Sequence, residues 1–198
     1  MEVIYIDNHI LIVNKPAGIS TQTPGLEDMA KKWIKEKFKK PGKVFLEPVH
    51  RLDKVVRGLV LFARTSKALS RLQAEMRIQG IEKRYRAQVE GIPNKEEALL
   101  EHYLEHGDFK AYLSPKGKKA VLHYKLLKKE KGQAILEIDL KTGRYHQIRI
   151  QLATIGHPII GDDKYGSHTA FLGAGIALEH VRMSFTHPIT KERLVFTI

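Results

Sequence analysis

Residues 142–162 read TGRYHQIRIQLATIGHPIIGD and crowd four polar side chains into one short stretch: Arg144, His146, Gln147 and Arg149. Arginine and histidine beside a turn can bind phosphate, and the two-pronged guanidinium group can also orient a carboxylate. The alternative interpretation is a solvated basic turn, which a chain this rich in lysine and arginine can readily contain.

The secondary structure of this stretch has two interpretations. Ile148, Ile150 and Leu152 alternate with polar residues as in a strand, but Ile148, Leu152 and Ile155 also fit one face of a helix that stops at a glycine. In the helical case the histidine and the second arginine share a face of that helix.

A second polar segment, PVHRLDK at 48–54, precedes the apolar run GLVLFA at 58–63. The carboxylate of Asp53 lies there among three cations, Arg51, Lys54 and Arg57. Neighbouring cations favour the ionised form of a carboxylate, which can then act as a nucleophile or a general base. A surface aspartate in a salt-bridged turn is the alternative.

A third segment, KRYRA at 83–87, places Tyr85 between two arginines on one predicted strand. Aromatic faces stack on unpaired bases and arginine holds phosphates, so the segment suits contact with RNA. The alternative is a core tyrosine with exposed arginine neighbours.

The composition of the chain points to a polyanionic partner. The 198 residues include 34 Lys and Arg against 22 Asp and Glu, for a net charge of +12 and a pI near 9.8. A basic chain of this size most often meets nucleic acid. Lysines near 31–40 and at 116–119 are candidates for phosphate contact, although each run can also be a solvated face.

The composition also excludes several classes of protein. The absence of cysteine rules out disulfides and thiolate metal sites. No apolar run approaches the ~20 residues of a membrane-spanning helix. The N-terminal MEVIYIDNHI does not have the pattern of a signal peptide. We therefore expect a cytoplasmic protein that acts without a membrane.

Apolar periodicity predicts several strands joined by tight turns and few helices, which favours an α+β fold. Ser66 is expected to cap a helix that runs to about Ile78, and residues 95–106 have helical propensity. The other predicted elements are hairpins over 3–13 and 121–140, a helix over 26–38, strands over 58–63 and 84–89, and closing strands over 177–185 and 193–198.

Taken together and in this order, these segments resemble the RluA-type pseudouridine synthases. The stretches that carry the resemblance are HRLD at 50–53, GLVLFA at 58–63, KRYRAQVEG at 83–91 and TGRYHQIRIQLATIGHPIIGD at 142–162, with KPAG at 15–18 and RMSFTHP at 182–188. The resemblance implies a single catalytic domain over 1–198. In a departure from the family the predicted core begins at once, so we expect no separate N-terminal RNA-binding domain. Its fold would be a mixed, mainly antiparallel sheet in two lobes, with flanking helices and a central RNA cleft.

The resemblance also implies an activity and residue roles. The reaction is the isomerisation of a flipped-out uridine of rRNA or tRNA to pseudouridine, with no cofactor or metal. Asp53 matches the catalytic aspartate, Tyr85 the tyrosine that packs on the base and takes the C5 proton, and Arg149 the arginine that pairs with the aspartate. The expected substrate-binding residues are Arg51, which can enter the gap left by the base, Ile148 in the uracil pocket, and His50, Arg144 and His146. We expect a monomer that requires no protein partner.

Two features motivate other functions. Val56-Arg57 replaces the small polar pair usual in the family before the glycine of the first motif, which suggests an RNA-binding member without catalysis as the alternative. HYLEH at 102–106 matches a zinc-peptidase pattern, H-x-x-E-H, which holds a metal only on a helix. The resemblance implies strand and turn there, so we expect no zinc site.

Overall fold

A computed structural model describes residues 1–198 as eleven β-strands, three α-helices and a short 3₁₀ helix. These elements form two compact units, residues 1–81 with 182–198, and residues 82–181. That the two units make one catalytic domain stays a prediction.

The first unit contains both termini. Its elements are β1 (Glu2–Ile6), β2 (Ile10–Lys15), α1 (Leu26–Lys37), β3 (Glu47–Pro48), β4 (Arg57–Ala63), α2 (Ser66–Arg77) and β11 (Arg193–Thr197), together with the end of β10 (Leu178–Thr186), which crosses the boundary between the units. β2 pairs antiparallel with both β1 and β4, β3 adds to β4, and β11 pairs with β10.

The core of the first unit lies around β2 and β4. Both strands are buried along nearly their whole length on both faces, which explains why their sequences are continuous apolar runs rather than alternating ones. Helix α2 covers one face with Ala68 and Leu72, which pack with Ile12, Leu61 and Phe185.

Thr65, and not Ser66, caps helix α2. The Thr65 hydroxyl accepts a hydrogen bond from the Ala68 amide at 3.1 Å, whereas Ser66 is the first helical residue. The prediction of Ser66 as the cap is therefore wrong by one position. Adjacent threonine and serine residues have similar capping preference, so the backbone decides between them.

The second unit is a five-stranded antiparallel sheet in the order β5–β9–β8–β6–β7. Its elements are β5 (Glu82–Glu90), β6 (Glu97–His106), β7 (Ala111–Leu113), β8 (Lys118–Glu130), β9 (Gln133–Leu140), α3 (Gln147–Thr154) and the 3₁₀ helix Asp163–Tyr165. Burial alternates along β5 and β9, so the sheet has one covered face. Ile150 of α3 packs there against Leu104 and Ala120.

The structure decides the secondary structure of two segments of the second unit for which the sequence was ambiguous or misleading. Residues 147–154 form a helix, and residues 97–106 form a strand, so the helical propensity of 95–106 misled. Strand β6 pairs with β8 over eight residues, and this pairing outweighs the preference of its Glu, Ala and Leu residues for a helix. None of the helices is long and apolar enough to cross a membrane.

The cap of α2 gives a first test of the fold. Thr65→Ala removes the acceptor for the Ala68 amide and should lower the free energy of unfolding by about 1 kcal/mol. Ser66→Ala is the matched control and should change it by less than about 0.5 kcal/mol. Urea unfolding measures both, and equal effects of the two substitutions would contradict the assignment of the cap.

Candidate active site

Asp53 lies on the loop that connects β3 to β4, together with two other predicted site residues, His50 and Arg51. The side chain of Asp53 is half-buried, Arg51 is exposed, and Leu52 between them is buried. Asp53 is therefore partly exposed, while the backbone beside it is anchored in the protein.

The segment from Lys15 to Gln22 anchors this loop through both backbone and side chains. Thr21 makes a reciprocal pair with Leu52, because its hydroxyl donates to the Leu52 carbonyl at 3.0 Å and accepts from the Leu52 amide at 3.1 Å. The Gly18 amide donates to the Lys54 carbonyl at 2.7 Å. These bonds flank Asp53 on both sides and fix the position of its backbone.

Lys15 is a buried cation at the base of the same loop. Its side chain is fully covered, and its ammonium group donates to the carbonyls of Pro16 at 3.0 Å, Ile19 at 2.9 Å and Lys54 at 3.4 Å. Burial lowers the pKa of Lys15 to about 8, and the attraction of the Asp53 carboxylate opposes this shift. The sequence showed Lys15 in the KPAG stretch but gave it no role, because its partners come from separate loops.

His50 and Val56 lie at the two ends of the Asp53 loop, and the predicted binding of substrate by His50 stays a prediction. The Leu61 amide of β4 donates to Nε2 of His50 at 3.2 Å, which fastens the start of the Asp53 loop to the strand. Val56 is buried, and Arg57 is the half-buried first residue of β4. Arg51 donates to Oε1 of Gln22 at 2.7 Å on the exposed side of the loop.

Tyr85 occupies an inward position of β5 and is 6 % exposed. Its ring stacks on that of His180, with the ring centres 4.5 Å apart and the planes 18° apart. Arg84 and Arg86 on either side of it point away from this buried face. The tyrosine thus has a fixed ring plane, as a platform for a base would require.

Helix α3 begins in an unusual backbone conformation at His146. This residue caps the helix with φ of 53° and ψ of 24°, in the left-handed region that costs a residue with a side chain about 1–3 kcal/mol. Its buried ring stacks on Tyr145 at 3.8 Å, and its Nδ1 lies 2.9 Å from the hydroxyl of Tyr165. The surrounding contacts therefore hold a conformation that the isolated segment would avoid.

Arg149 on α3 forms a buried two-point ion pair within the second unit. Its Nε donates to Oδ2 of Asp162 at 2.7 Å and its Nη2 to Oδ1 at 2.8 Å. The guanidinium carbon lies 5.0 Å from the centre of the Tyr165 ring. His146 and Arg149, predicted to share a helix face, thus meet at Tyr165. Sequence reasoning missed Asp162 and Tyr165, although Asp162 ends the quoted stretch.

The remaining predicted residues of this stretch separate. Ile148 is buried beside Arg149 on α3. Arg144 is exposed and donates from Nε to the Lys119 carbonyl at 2.9 Å, away from the Arg149 pair. The geometry gives Arg144 a contact with the backbone of β8, and its predicted binding of substrate stays a prediction.

The zinc-peptidase pattern at 102–106 lies on strand β6 and not on a helix. Two histidines four residues apart on a strand are separated by roughly 13 Å, which is too far to share a metal ion. His102 lies 3.0 Å from the Gln151 side chain, and His106 packs on the ring of Tyr145 at 4.0 Å. The pattern therefore reflects strand packing.

Comparison with known proteins decides the family. A statistical description of RNA pseudouridylate synthases matches residues 9–154. The chain belongs to the RNA pseudouridylate synthase family. Its relatives include the RNA pseudouridine synthase YhcT of Bacillus subtilis (31 % identity, 98 % of this chain, 67 % of the relative). They also include ribosomal large subunit pseudouridine synthase C of Escherichia coli (32 %, 96 % and 63 %) and dual-specificity RNA pseudouridine synthase RluA of Pasteurella multocida (31 %, 100 % and 92 %).

These relatives confirm the RluA-type branch that the sequence predicted. The chain spans about two thirds of the first two relatives and nearly all of the third. Among solved structures, human RNA pseudouridylate synthase domain containing 4 matches with a TM-score of 0.84 at 20 % identity, over 100 % of this chain and 87 % of that one. At this identity the likeness concerns the fold, and it confirms the α+β class.

The buried Lys15 gives a prediction that depends on pH. Lys15→Met removes the donor for the Pro16 and Ile19 carbonyls and should lower the free energy of unfolding by about 1–3 kcal/mol. Burial lowers the pKa in the folded protein to about 8, while the unfolded chain keeps 10.5, so unfolding takes up a proton between these values. Stability of the wild type should therefore rise with pH in this window, by at most about 1.4 kcal/mol per unit.

The variant should lack this rise, so the stability difference between the two proteins should widen above about pH 8. Urea titrations at several pH values measure the difference. Lys35→Met, on the exposed face of α1, is the control for loss of a lysine and should remain close to the wild type in stability. If the stability difference between the wild type and Lys15→Met stays constant with pH, the titration of Lys15 does not cause the expected rise in stability.

Proposed function

We propose that this chain isomerises uridine in RNA to pseudouridine, with Asp53 as the catalytic carboxylate. The observation that carries the proposal is the Asp53 loop of a family member: a half-buried carboxylate whose flanking backbone is fixed by Thr21, Gly18 and Lys15. A surface aspartate in a simple salt-bridged turn would have no need of so many anchoring bonds.

The chemistry sets clear demands on the protein. The bond from ribose C1′ to N1 of uracil must break, the base must turn, and a bond from C1′ to C5 must form. The hydrogen on C5 then leaves and N1 gains one, so the reaction is an isomerisation that needs no oxidant or group donor. The base cannot turn inside a stack, so the nucleotide must be extruded at a cost of a few kcal/mol.

Three further side chains, Tyr85, Arg149 and Arg51, suit the remaining tasks. In the proposed site Tyr85 packs on the extruded base and takes the C5 proton, which a phenylalanine could not do. We propose that Arg149 is the arginine that supports the catalytic aspartate, as the family resemblance implies. Arg51 is exposed on the Asp53 loop, which suits a side chain that fills the gap left by the base.

We further propose that a lysine-lined groove beside α1 contacts RNA phosphates. Lys31, Lys32, Lys35 and Lys43 line an open groove of about 620 Å³. Two of these cations already have carboxylate neighbours, Glu27 and Glu36, but Lys35 and Lys43 have none. A concave surface with uncompensated positive charge attracts a polyanion, in agreement with the net charge of +12.

The second candidate function is RNA binding without catalysis, which the Val56-Arg57 pair motivates. Val56 is a buried residue of the Asp53 loop, and Arg57 is the first residue of β4. Both residues therefore belong to the segment that supports Asp53. Asp53, Tyr85 and Arg149 are all present, which favours the enzyme. Release of tritium from RNA labelled at uridine C5 separates the two functions, because a protein that only binds RNA releases none.

Asp53→Asn tests the catalytic assignment. The variant keeps the shape of the side chain but loses its charge, so tritium release should fall by about 10²–10⁴-fold or more, while RNA affinity stays within about 3-fold. Asp108→Asn, an exposed aspartate in the second unit, is the matched control and should behave like the wild type. Isomerisation by Asp53→Asn at the wild-type rate would refute the mechanism, and an inactive wild type that binds RNA would establish the alternative.

Charge reversal tests the lysine-lined groove beside α1. Lys35→Glu with Lys43→Glu should weaken RNA binding and reduce the slope of log affinity against log salt by about 1.4–1.8, because two phosphate contacts are lost. The double variant Lys95→Glu with Lys125→Glu changes the net charge equally on exposed positions of the second unit. Equal effects of the two double variants would mean that only overall charge matters and that the groove is not a contact site.

A further inference from the structure

The turn at residues 162–165 contacts the guanidinium group of Arg149 through two side chains. Asp162 binds the Nε–Nη2 edge of the guanidinium group in its own plane, at 2.7 and 2.8 Å. The guanidinium group also lies over the ring of Tyr165, three residues later, with its carbon 5.0 Å from the ring centre. The two-point pair and the ring contact together restrict the rotation of this planar group.

The turn that supplies these two side chains is itself tightly built. The Asp162 carbonyl accepts from the amides of Tyr165 at 3.0 Å and Ser167 at 3.1 Å. Gly161 before it has φ of +82°, and a Cβ there would lie 2.7 Å from Cβ of Phe171, so only glycine fits. The carboxylate is thus fixed through its backbone before it meets the arginine.

Tyr165 is fixed as firmly as Asp162. Its hydroxyl accepts from the Ala111 amide at 2.8 Å and lies 2.9 Å from Nδ1 of His146. Burial raises the pKa of Tyr165 to about 12, so the ring stays neutral and offers Arg149 its face rather than a charge. The left-handed backbone of His146 therefore accompanies a side-chain contact with the Tyr165 hydroxyl, which helps to hold this ring.

The burial of the Arg149–Asp162 ion pair determines how much it contributes to stability. The side chains of Arg149 and Asp162 are only 5 % and 1 % exposed. A pair this far from water gains little net stability, because desolvation offsets attraction, but its two-point geometry is highly directional. Orientation is what such a pair provides best.

We propose that Asp162 and Tyr165 are positioning residues that set the direction of the Arg149 guanidinium group for the reaction. This inference rests on the proposed function, in which Arg149 supports Asp53. With the Nε–Nη2 edge bound to Asp162, the planar geometry of the group fixes the direction of Nη1. Neither residue is required to touch the substrate.

Asp162→Asn is the decisive variant, because it keeps the volume and one acceptor oxygen but breaks the two-point pair. We expect kcat for tritium release to fall at least 10-fold while KM for RNA stays within about 2-fold. The acid limb of the pH–rate profile should also move, because a redirected Arg149 changes the charge that the reacting groups experience. A variant that only loosens the fold would not shift this limb.

Tyr165 variants resolve the two contacts. Tyr165→Phe keeps the ring under Arg149 and loses only the hydroxyl bonds, so kcat should change by less than about 3-fold, whereas Tyr165→Leu should lower it further and shift the acid limb like Asp162→Asn. Asp163→Asn is the control, because it is an exposed aspartate in the same turn and should match the wild type.

All variants are assayed at a temperature where circular dichroism shows them folded. Wild-type kcat and pH profile in Asp162→Asn would overturn the proposal. So would a loss that follows the folded fraction with an unmoved acid limb, which indicates a structural role only. Asp53→Asn, run beside them, separates the failures. If Asp53→Asn is fully active or the wild type is inert, the proposed function falls and the positioning role with it; if only the Asp162 arm fails, the positioning role alone falls.

Discussion

The two-point pair between Arg149 and Asp162 is the constraint on which the second unit depends. Both charges are nearly removed from water, and each is tolerated there only because the other neutralises it and uses its hydrogen bonds. Removal of either partner would leave an uncompensated buried charge, so helix α3 and the turn at 162–165 must be formed together. The same pair gives a planar cation a definite direction at Arg149, which we propose as the supporting arginine.

The first unit solves a comparable problem with the opposite arrangement. The main contacts of Lys15 are hydrogen bonds from its ammonium group to three backbone carbonyls. The negative charge of Asp53 also attracts this ammonium group. A buried lysine that satisfies carbonyls acts as a junction between loops, since one cation replaces several hydrogen bonds that water would otherwise make. In the first unit the buried charge therefore holds the backbone beside Asp53, the proposed catalytic group, which lies on a loop.

Family membership and residue roles rest on different grounds. The match over residues 9–154 and the relatives at 31–32 % identity establish the family. The role of Asp53 is a proposal that rests on its anchored and accessible loop. The Val56-Arg57 pair lies in the support of that loop, one side chain in the core and one at the start of β4.

The amino-acid sequence by itself determined the family, the α+β class and most strands. Alternating apolar residues are typical of strands with one buried face, and continuous apolar runs are typical of fully buried strands. The sequence also singled out Asp53, Tyr85 and Arg149. The tertiary structure alone decided that 147–154 is a helix, since its residues 147–152 are buried on all sides and show no polar face for a periodic pattern to reveal. It alone turned 97–106 into a strand, because the partner β8 supplies hydrogen bonds that propensity ignores. It alone gave roles to Lys15, Asp162 and Tyr165, whose partners meet only when distant parts of the chain are folded together.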